Sequence, residues 1–206
     1  MSTEVAHAPD AILIEFAPLK SAPHALAEAF GRLATELELP SINLRAYKAI
    51  SKPKIIAYLR GTTRASIADV RAFAQERLKR VADGDLEITR LKGLRLFHGA
   101  AEGGTPAYHY IVRTDVSEGS EQELERWYDE EHMPNLAAVP GAVLAQRFVS
   151  LDTAPRFYAC YDLITSDVLE SSPWRAARAT DWSSRVRRTF RNTRRVMSPR
   201  LGEIGV

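Results

Sequence analysis

The sequence predicts an α+β fold in which one chain carries two βαββαβ repeats. Segments patterned as strand, helix, strand, strand, helix and strand follow one another twice within 206 residues. A glycine-rich polar segment at 101–106 (AEGGTP) lies between two apolar strands, as is typical of a domain boundary. A gap-free shift of 102 positions also aligns four identical or similar pairs: Arg45 with Arg147, Pro53 with Pro155, Lys54 with Arg156, and Ala57 with Ala159.

A βαββαβ unit covers one face of its sheet with helices and leaves the other face bare. We therefore expect the two repeats to pack sheet to sheet, as a pseudo-dimeric barrel within one polypeptide. The first repeat is predicted at 11–101 and the second at 107–201. Residues 1–10 are small and polar, which predicts a disordered tail.

In the first repeat, each element follows from apolar content, periodicity and turn residues. The run at 11–17 (AILIEFA) is apolar enough for a central strand, and Ser66 is a suitable cap for the second helix. Pro53 marks a hairpin between two alternating segments. The predicted elements are strands at 11–17, 42–50, 55–60 and 87–97, helices at 25–37 and 67–81, and a turn at 83–85.

In the second repeat, Ser120 and Glu123 have the spacing of a capping box, so a helix is expected to begin there. Pro134 is expected to end that helix soon after His132, because the residue before a proline is pushed out of the helical region. Ser172 followed by Pro173 indicates the start of a second helix. The predicted strands are 107–116, 143–149, 156–163 and 193–201, and the last helix is predicted at 174–190.

Composition indicates an ordinary globular protein, with 45% hydrophobic residues, 26% charged residues and a formal net charge of +2. That charge is too small to indicate nucleic acid as a partner. The single cysteine, Cys160, excludes an intramolecular disulfide and is expected to be buried and inert. No signal peptide and no apolar stretch of membrane-spanning length is present, so we expect a cytoplasmic protein without a membrane partner.

The candidate site centres on His132. Leu124, Trp127, Tyr128 and His132 follow one another at helical spacing, so an apolar and aromatic face ends in an imidazole. Histidine titrates near neutral pH and can accept or donate a proton in catalysis. The alternative is that His132 caps the helix C-terminus and that Trp127 and Tyr128 are core residues.

Trp127, the His132-Met133-Pro134 tripeptide, the segment 139–141 (VPG) and Arg147 followed by Phe148 resemble the W…HxP…PG…R[YF] pattern of the dimeric α+β barrel superfamily, in particular its EthD-like members. The resemblance covers the second half of the chain through motifs and the first half through element order. It implies ferredoxin-like repeats and a similarity to antibiotic-biosynthesis monooxygenases.

The resemblance also implies a function. Cofactor-free members take a proton from a phenolic or carbonyl substrate in a pocket between sheet and helices. We therefore expect an EthD/monooxygenase-like enzyme acting on a small hydrophobic or aromatic molecule, with His132 as the catalytic proton acceptor and Trp127, Tyr128, Arg147 and His109 as substrate-binding residues. The first half has no counterpart of His132 or of the Trp-Tyr pair, so one site per chain is expected.

Two of these residues have structural alternatives. Arg147, like Arg45 at the matched position, could pair with a carboxylate inside the fold or face outward, and the strand pattern does not decide its face. His109 could complete a site with His132, or be an ordinary histidine of the sheet.

No cofactor is expected. The sequence contains no HExxH motif and no Cys/His cluster at metal-ligand spacing. Some members of the superfamily bind haem through one histidine, so haem is the alternative, although the sequence shows no large apolar pocket for it.

Arginines crowd the region 174–200, interleaved with aromatic residues. Arginine with aromatics can bind RNA, but no RNP-type motif is present, so nucleic acid is not the expected partner. The arginines are expected to pair with acidic residues such as Asp129, Glu130 and Glu131. The second functional hypothesis is a non-catalytic ligand-binding or scaffold protein of the same fold. Whether two chains form a homodimer is left open by the sequence.

Overall fold

The computed structural model describes residues 5–6, 10–19, 23–38, 44–51, 53–61 and 66–201. Most of the predicted 1–10 tail lies outside these residues. Two compact units are present. The N-terminal unit holds the described part of 9–91 together with 198–201, and the C-terminal unit holds 5–6 and 92–197. The division between the two units falls within one long strand. The boundary between the two repeats at 101–106 stays a prediction. No helix of the described segments has the length and apolarity needed to cross a membrane.

The N-terminal unit contains the first βαββαβ repeat. Its elements are β2 (Ala11–Pro18), α1 (Pro23–Glu36), β3 (Leu44–Lys48), β4 (Ile55–Arg60), α2 (Ile67–Leu78) and the first part of β5 (Ala82–His98). β1 (Val5–Ala6) precedes them in the chain and pairs with the later part of β5. The strands of the repeat lie in the order β3-β4-β2-β5, with antiparallel pairing of β2 to both β4 and β5. This second-third-first-fourth order is that of a ferredoxin-like unit.

The predicted cap of α2 is confirmed. The Ser66 hydroxyl accepts a hydrogen bond from the Asp69 backbone N–H at 3.2 Å, and the Asp69 carboxylate accepts one from the Ser66 backbone N–H at 2.9 Å. The predicted turn at 83–85 is wrong, because β5 continues through it. Gly84 adopts a positive φ of 84° there, and the register of β2 against β5 shifts between Glu15 and Ala17. A glycine next to a bulge lets the strand bend instead of ending.

The C-terminal unit contains the second repeat. Its elements are β6 (Tyr108–Val116), α3 (Glu121–Trp127), a π-helical turn (Tyr128–His132), α4 (Met133–Ala137), β7 (Ala142–Ser150), β8 (Phe157–Leu163), a 3₁₀ turn (Ser166–Glu170), α5 (Ser172–Ala177), α6 (Asp181–Arg187) and β9 (Phe190–Pro199). The strand order β5-β7-β8-β6-β9 repeats the second-third-first-fourth arrangement, with β5 added beside β7. The predicted α+β class with two ferredoxin-like repeats is confirmed.

Three local predictions in this unit are wrong. Ser120 makes no side-chain hydrogen bond to the helix that follows it, so it is not a capping box. Pro134 does not end the helix, because the π-helical turn before it places Pro134 in the first turn of α4, where its missing N–H costs nothing. The helix predicted at 174–190 is two helices, with Thr180 capping the second by accepting a hydrogen bond from the Ser183 backbone N–H at 3.0 Å.

Candidate functional site

The π-helical turn determines which side chains of the α3–α4 segment face the sheet. A π turn adds a residue to the helical repeat and shifts the buried face by about one position. As a result Trp127 and Tyr128, although adjacent in sequence, are both buried, as are His132 and Met133 one turn later. π turns inside α-helices are frequent at functional sites.

His132 packs against a pair of aromatic rings that also contact each other, Trp127 and Tyr128, with 4.6 Å between their centroids. Its imidazole stacks on the Trp127 indole, with ring centroids 4.1 Å apart and an interplanar angle of 22°, and meets the Tyr128 ring edge-on at 5.6 Å. The side chain is only 6% exposed, and its Nδ1 atom has no hydrogen-bond partner among the described residues. It does not cap the helix C-terminus, since the helix continues to Ala137.

The charge state of His132 follows from its surroundings. Burial lowers the pKa of His132 well below its ordinary value of 6.5, and the positive charges of Arg187, Arg178 and Arg147 lower it further. The imidazole is therefore neutral at neutral pH. A neutral imidazole with an unpartnered ring nitrogen is able to accept a proton or a hydrogen bond.

Arg147 lies on the same side of the sheet as the helices. Its guanidinium carbon is 4.4 Å from the centre of the Tyr128 ring, and Nη1 is 3.5 Å from the Asp129 Oδ1. Nε and Nη2 have no hydrogen-bond partner among the described residues, although the side chain is 1% exposed. The guanidinium of Arg147 thus packs against the Tyr128 ring. It is a buried cation that lacks hydrogen-bond acceptors for two of its nitrogen atoms.

A narrow cavity lies against His132 between the sheet and the helices of this unit. Its atom-free space is about 340 Å³ including the open mouth, of which about 20 Å³ can hold the centre of a water molecule. The lining residues come from β6, the α3–α4 segment, β8, α5, α6 and β9: Tyr110, Val112, Trp127, Tyr128, His132, Leu136, Tyr161, Trp174, Arg178, Arg187, Phe190 and Arg195.

Aromatic side chains make up much of the cavity lining. Tyr161 stacks with Tyr110 at 6.1 Å and meets Trp174 edge-on at 5.2 Å. Burial raises the pKa of Tyr128 to about 12, and it also raises the pKa of Tyr110 and of Tyr161 above the ordinary value. These phenols stay protonated, so they offer ring faces and hydroxyl groups and no negative charge.

The structure brings together some of the predicted site residues and separates one. Trp127, Tyr128 and His132 line the cavity, and Arg147 lies directly behind Tyr128. His109 does not join them. It is fully buried on the opposite face of the sheet, where its Nδ1 is 2.6 Å from the Asp162 Oδ1, so the idea that it completes a site with His132 is wrong.

Arg45, the matched residue of the first repeat, is a half-buried residue of β3 opposite Tyr58 in the N-terminal unit. It belongs to a different unit from the cavity.

Sequence reasoning missed the other nine residues that line the cavity, which include Tyr110, Tyr161, Trp174, Arg178, Arg187 and Arg195. The four-residue spacing of Trp174 and Arg178 and the alternation of the strand at 157–163 were signals that placed them on inward faces. The expected pairing of the C-terminal arginines with Asp129, Glu130 and Glu131 is also wrong in detail. Arg185 binds Glu123, while Asp129 binds Arg95 and Arg147 and Glu130 binds Arg126.

Within the described ranges, no group of three or more His, Cys, Asp or Glu side chains is arranged to hold a metal ion. Haem does not fit the cavity, because His132 is held ring to ring against Trp127 and the space beside it is too narrow for a porphyrin. We derive no step through either group.

Known proteins resemble this chain in structure but not in sequence. No family model matches the sequence, and no curated protein matches it either. Solved structures do match, and they show a ferredoxin-like fold, in agreement with the two repeats described above.

Three of these structures illustrate the range. A candidate monooxygenase from Fusobacterium nucleatum superposes with a TM-score of 0.69 and 9% identity, over 94% of this chain and 93% of that chain. A ferredoxin-fold protein from Listeria monocytogenes, related to antibiotic biosynthesis monooxygenases, gives 0.56 and 8%, over 94% and 95%. A chlorite dismutase from Candidatus Nitrospira defluvii gives 0.55 and 12%, over 99% and 94%. Such low identities show the fold alone.

Proposed function

We propose that this protein is a monooxygenase-like enzyme that acts without a metal on a small hydrophobic or aromatic molecule, with His132 as the proton acceptor. The observation that carries the proposal is the unpartnered Nδ1 of a buried, neutral His132 beside a cavity with an aromatic floor. The structural neighbours described as monooxygenase-type proteins support the same class.

The proposed step is a proton transfer. In the tautomer protonated on Nε2, the Nδ1 lone pair of His132 takes the proton of a phenolic hydroxyl or of a carbon next to a carbonyl. The electron pair of the broken bond remains on the substrate as a phenolate or enolate, and an imidazolium forms. The electron-rich substrate then isomerises or reacts with dioxygen, the co-substrate that a monooxygenase-like reaction requires.

Positioning is assigned to the neighbours of His132. Trp127 fixes the ring plane of the imidazole by stacking, and its own Nε1 donates a hydrogen bond to the Ser183 Oγ at 3.2 Å. Tyr128 meets the imidazole of His132 edge-on beside Trp127, and the guanidinium of Arg147 lies over the Tyr128 ring. His109 has no proposed part in this cavity.

The test replaces His132 with a ring that cannot accept a proton. His132→Phe keeps the stacking surface, and His98→Gln is the control, because His98 is a partly exposed histidine paired with Glu102. Both variants are assayed with a panel of phenols and enolisable aromatic ketones, by oxygen consumption and by mass spectrometry of the products. We expect turnover to fall at least about 100-fold in His132→Phe and to be unchanged in the control.

The second candidate is a non-catalytic ligand-binding or scaffold protein of the same fold; the narrowness of the cavity, which leaves little room for a substrate, favours the scaffold role. Ligand-induced stabilisation that survives His132→Phe, with no turnover of any panel member by the wild type, would support it against the enzyme. A homodimer remains a prediction.

A further inference from the structure

The residues that line the cavity carry an excess of positive charge. Arg178, Arg187 and Arg195 all line it, and none of its lining residues is Asp or Glu. Arg178 and Arg187 line the same cavity, and the pKa of Arg187 is lowered by burial and further by the charge of Arg178. Like charges gathered without a carboxylate repel, so the arrangement favours a bound anion.

Two other arginines of the same unit are each paired with a carboxylate. Arg185, on the same helix as Arg187, binds Glu123 at 3.0 Å, and Arg126 binds Glu130 at 3.1 Å. In contrast, the Nη2 atom of Arg187 is buried and has no hydrogen-bond partner among the described residues. A buried guanidinium N–H without an acceptor is costly, and an oxyanion at this position would satisfy it.

The surroundings of the anion position are aromatic. Tyr110, Tyr161 and Trp174 line the cavity together with the arginines. The Nε1 of Trp174 is a further buried donor without a hydrogen-bond partner among the described residues. Flat rings accommodate another flat ring by stacked or edge-on contacts. The space open to the centre of a water molecule is about 20 Å³, enough for about one water, so a single ring enters only when side chains of the cavity move apart.

We propose that the cavity binds a single-ring aromatic carboxylate, with the carboxylate held by Arg187 together with Arg178 and Arg195 and the ring placed among Tyr110, Tyr161 and Trp174. This inference deepens the proposed function. It rests on that function only in taking His132 as the base. The carboxylate would offset the positive charges that keep His132 neutral. Binding of the correct substrate would therefore make His132 a better proton acceptor.

Binding is measured by quenching of tryptophan fluorescence, checked by calorimetry, with three probes. 4-Hydroxybenzoate carries ring and charge, 4-hydroxybenzamide has the same shape without the charge, and inorganic phosphate has charge without the ring. We expect the benzoate to bind on the order of 10- to 100-fold more tightly than the benzamide, as for hydrogen bonds to a charged group. Phosphate is expected to bind more weakly than the benzoate.

The matched variants are Arg187→Gln and Arg185→Gln, two arginines of the same short helix of which only Arg187 lines the cavity. Arg187→Gln should remove the preference for the benzoate, and Arg185→Gln should retain it. If Arg187→Gln fails to fold, Arg178→Gln serves in its place. Equal affinity for benzoate and benzamide, or equal effects of the variants at 185 and 187, would overturn the inference, as would phosphate binding as tightly as the benzoate.

These outcomes are separate from failure of the proposed function. Selective benzoate binding, with turnover of another substrate that is unaffected by His132→Phe, would remove His132 as the base and leave the anion site standing. Turnover that depends on His132, without any preference for the carboxylate, would do the reverse.

Discussion

The imidazole of His132 lies nearly flat on the indole of Trp127, with 4.1 Å between ring centroids and 22° between ring planes. Such close stacking excludes water from one whole face of the imidazole. The positive charges of three arginines also disfavour protonation of the ring. The imidazole is therefore neutral in the folded protein. The same contact therefore determines both the orientation of the proposed base and the pH at which it titrates.

This relationship predicts a pH dependence of stability. The pKa of His132 in the folded protein lies well below 6.5, so the unfolded chain binds a proton at higher pH than the folded chain does. Above about pH 7 His132 costs no stability. Below about pH 6.5 the free energy of unfolding falls as the pH falls, by at most about 1.4 kcal/mol per pH unit, until the folded-state pKa is reached.

Urea unfolding of the wild type and of His132→Phe between about pH 7 and about pH 5 measures this contribution. The charges of Arg187, Arg178 and Arg147 lower the pKa of His132, and burial raises the pKa of Tyr110, Tyr128 and Tyr161, so these phenols stay protonated in that window. The wild type should lose stability faster than the variant on acidification. Parallel curves would show that His132 is not held neutral by the fold.

The order of elements was predictable because apolar periodicity survives small irregularities. Strand β4 at Ile55–Arg60 and the start of α2 at Ile67 coincide with the predicted positions. The π turn at Tyr128–His132 was not predictable, since a single inserted residue leaves no signature in a pattern with period 3.6. It arises because burying both Trp127 and Tyr128 against the sheet outweighs the cost of a wider turn.

The site was predictable only in its centre. Helical spacing gave Trp127, Tyr128 and His132, and they are together. Alternation along β6 correctly separated His109 from Tyr110, but the sequence did not tell which of these faces the helices would cover. Arg178 and Arg187 were not placed at the cavity from the sequence, because a single helix was predicted over 174–190, whereas Thr180 and Asp181 form the start of a second helix.

A second prediction compares the cap that the structure shows with the cap that the sequence suggested. The Thr180 hydroxyl accepts a hydrogen bond from the Ser183 N–H at 3.0 Å and donates one to the Glu131 Oε1 at 2.6 Å, whereas Ser120 makes no such side-chain bond. We expect Thr180→Ala to lower the free energy of unfolding by about 1–2 kcal/mol. Ser120→Ala should change it by less than about 0.5 kcal/mol.

Both variants are measured by chemical denaturation under identical conditions. A loss in Ser120→Ala as large as that in Thr180→Ala would contradict the difference between the two helix starts. Since Thr180 contacts Glu131 in the proposed site segment, a weakened cap should also lower ligand-induced stabilisation.

A third prediction concerns Gly141, the residue that turns the chain from α4 into β7. Its φ is 91°, and a Cβ atom there would lie 2.6 Å from the Val168 Cγ2. Gly119 has a similar φ of 80°, but a Cβ there would meet open space. Alanine at either position carries the strain of a positive φ, and only Gly141→Ala adds a clash with Val168.

We therefore expect Gly141→Ala to cost about 1–3 kcal/mol more than Gly119→Ala, because a core with no room must shift to accept a methyl group. Thermal and urea unfolding of the two variants give the difference directly. The double variant Gly141→Ala with Val168→Ala should recover part of it, and no recovery would mean that the strain lies in the backbone instead.

The last prediction separates stability from binding at Arg147. This guanidinium is buried, reaches only Asp129 at a long 3.5 Å, and leaves Nε and Nη2 without partners among the described residues. Replacing an incompletely paired buried charge with an apolar side chain of similar length is often neutral or stabilising, so Arg147→Met should unfold at the same or higher urea concentration. The converse change, Asp129→Asn, removes the carboxylate and keeps the buried cation, and should cost about 2 kcal/mol, since the carboxylate is partly exposed.

If Arg147 is retained to hold Tyr128 in the site, Arg147→Met should nevertheless weaken aromatic ligand binding about tenfold, the effect of losing roughly 1.4 kcal/mol. A variant that loses several kcal/mol of stability with unchanged binding would instead make Arg147 a structural residue and remove it from the site.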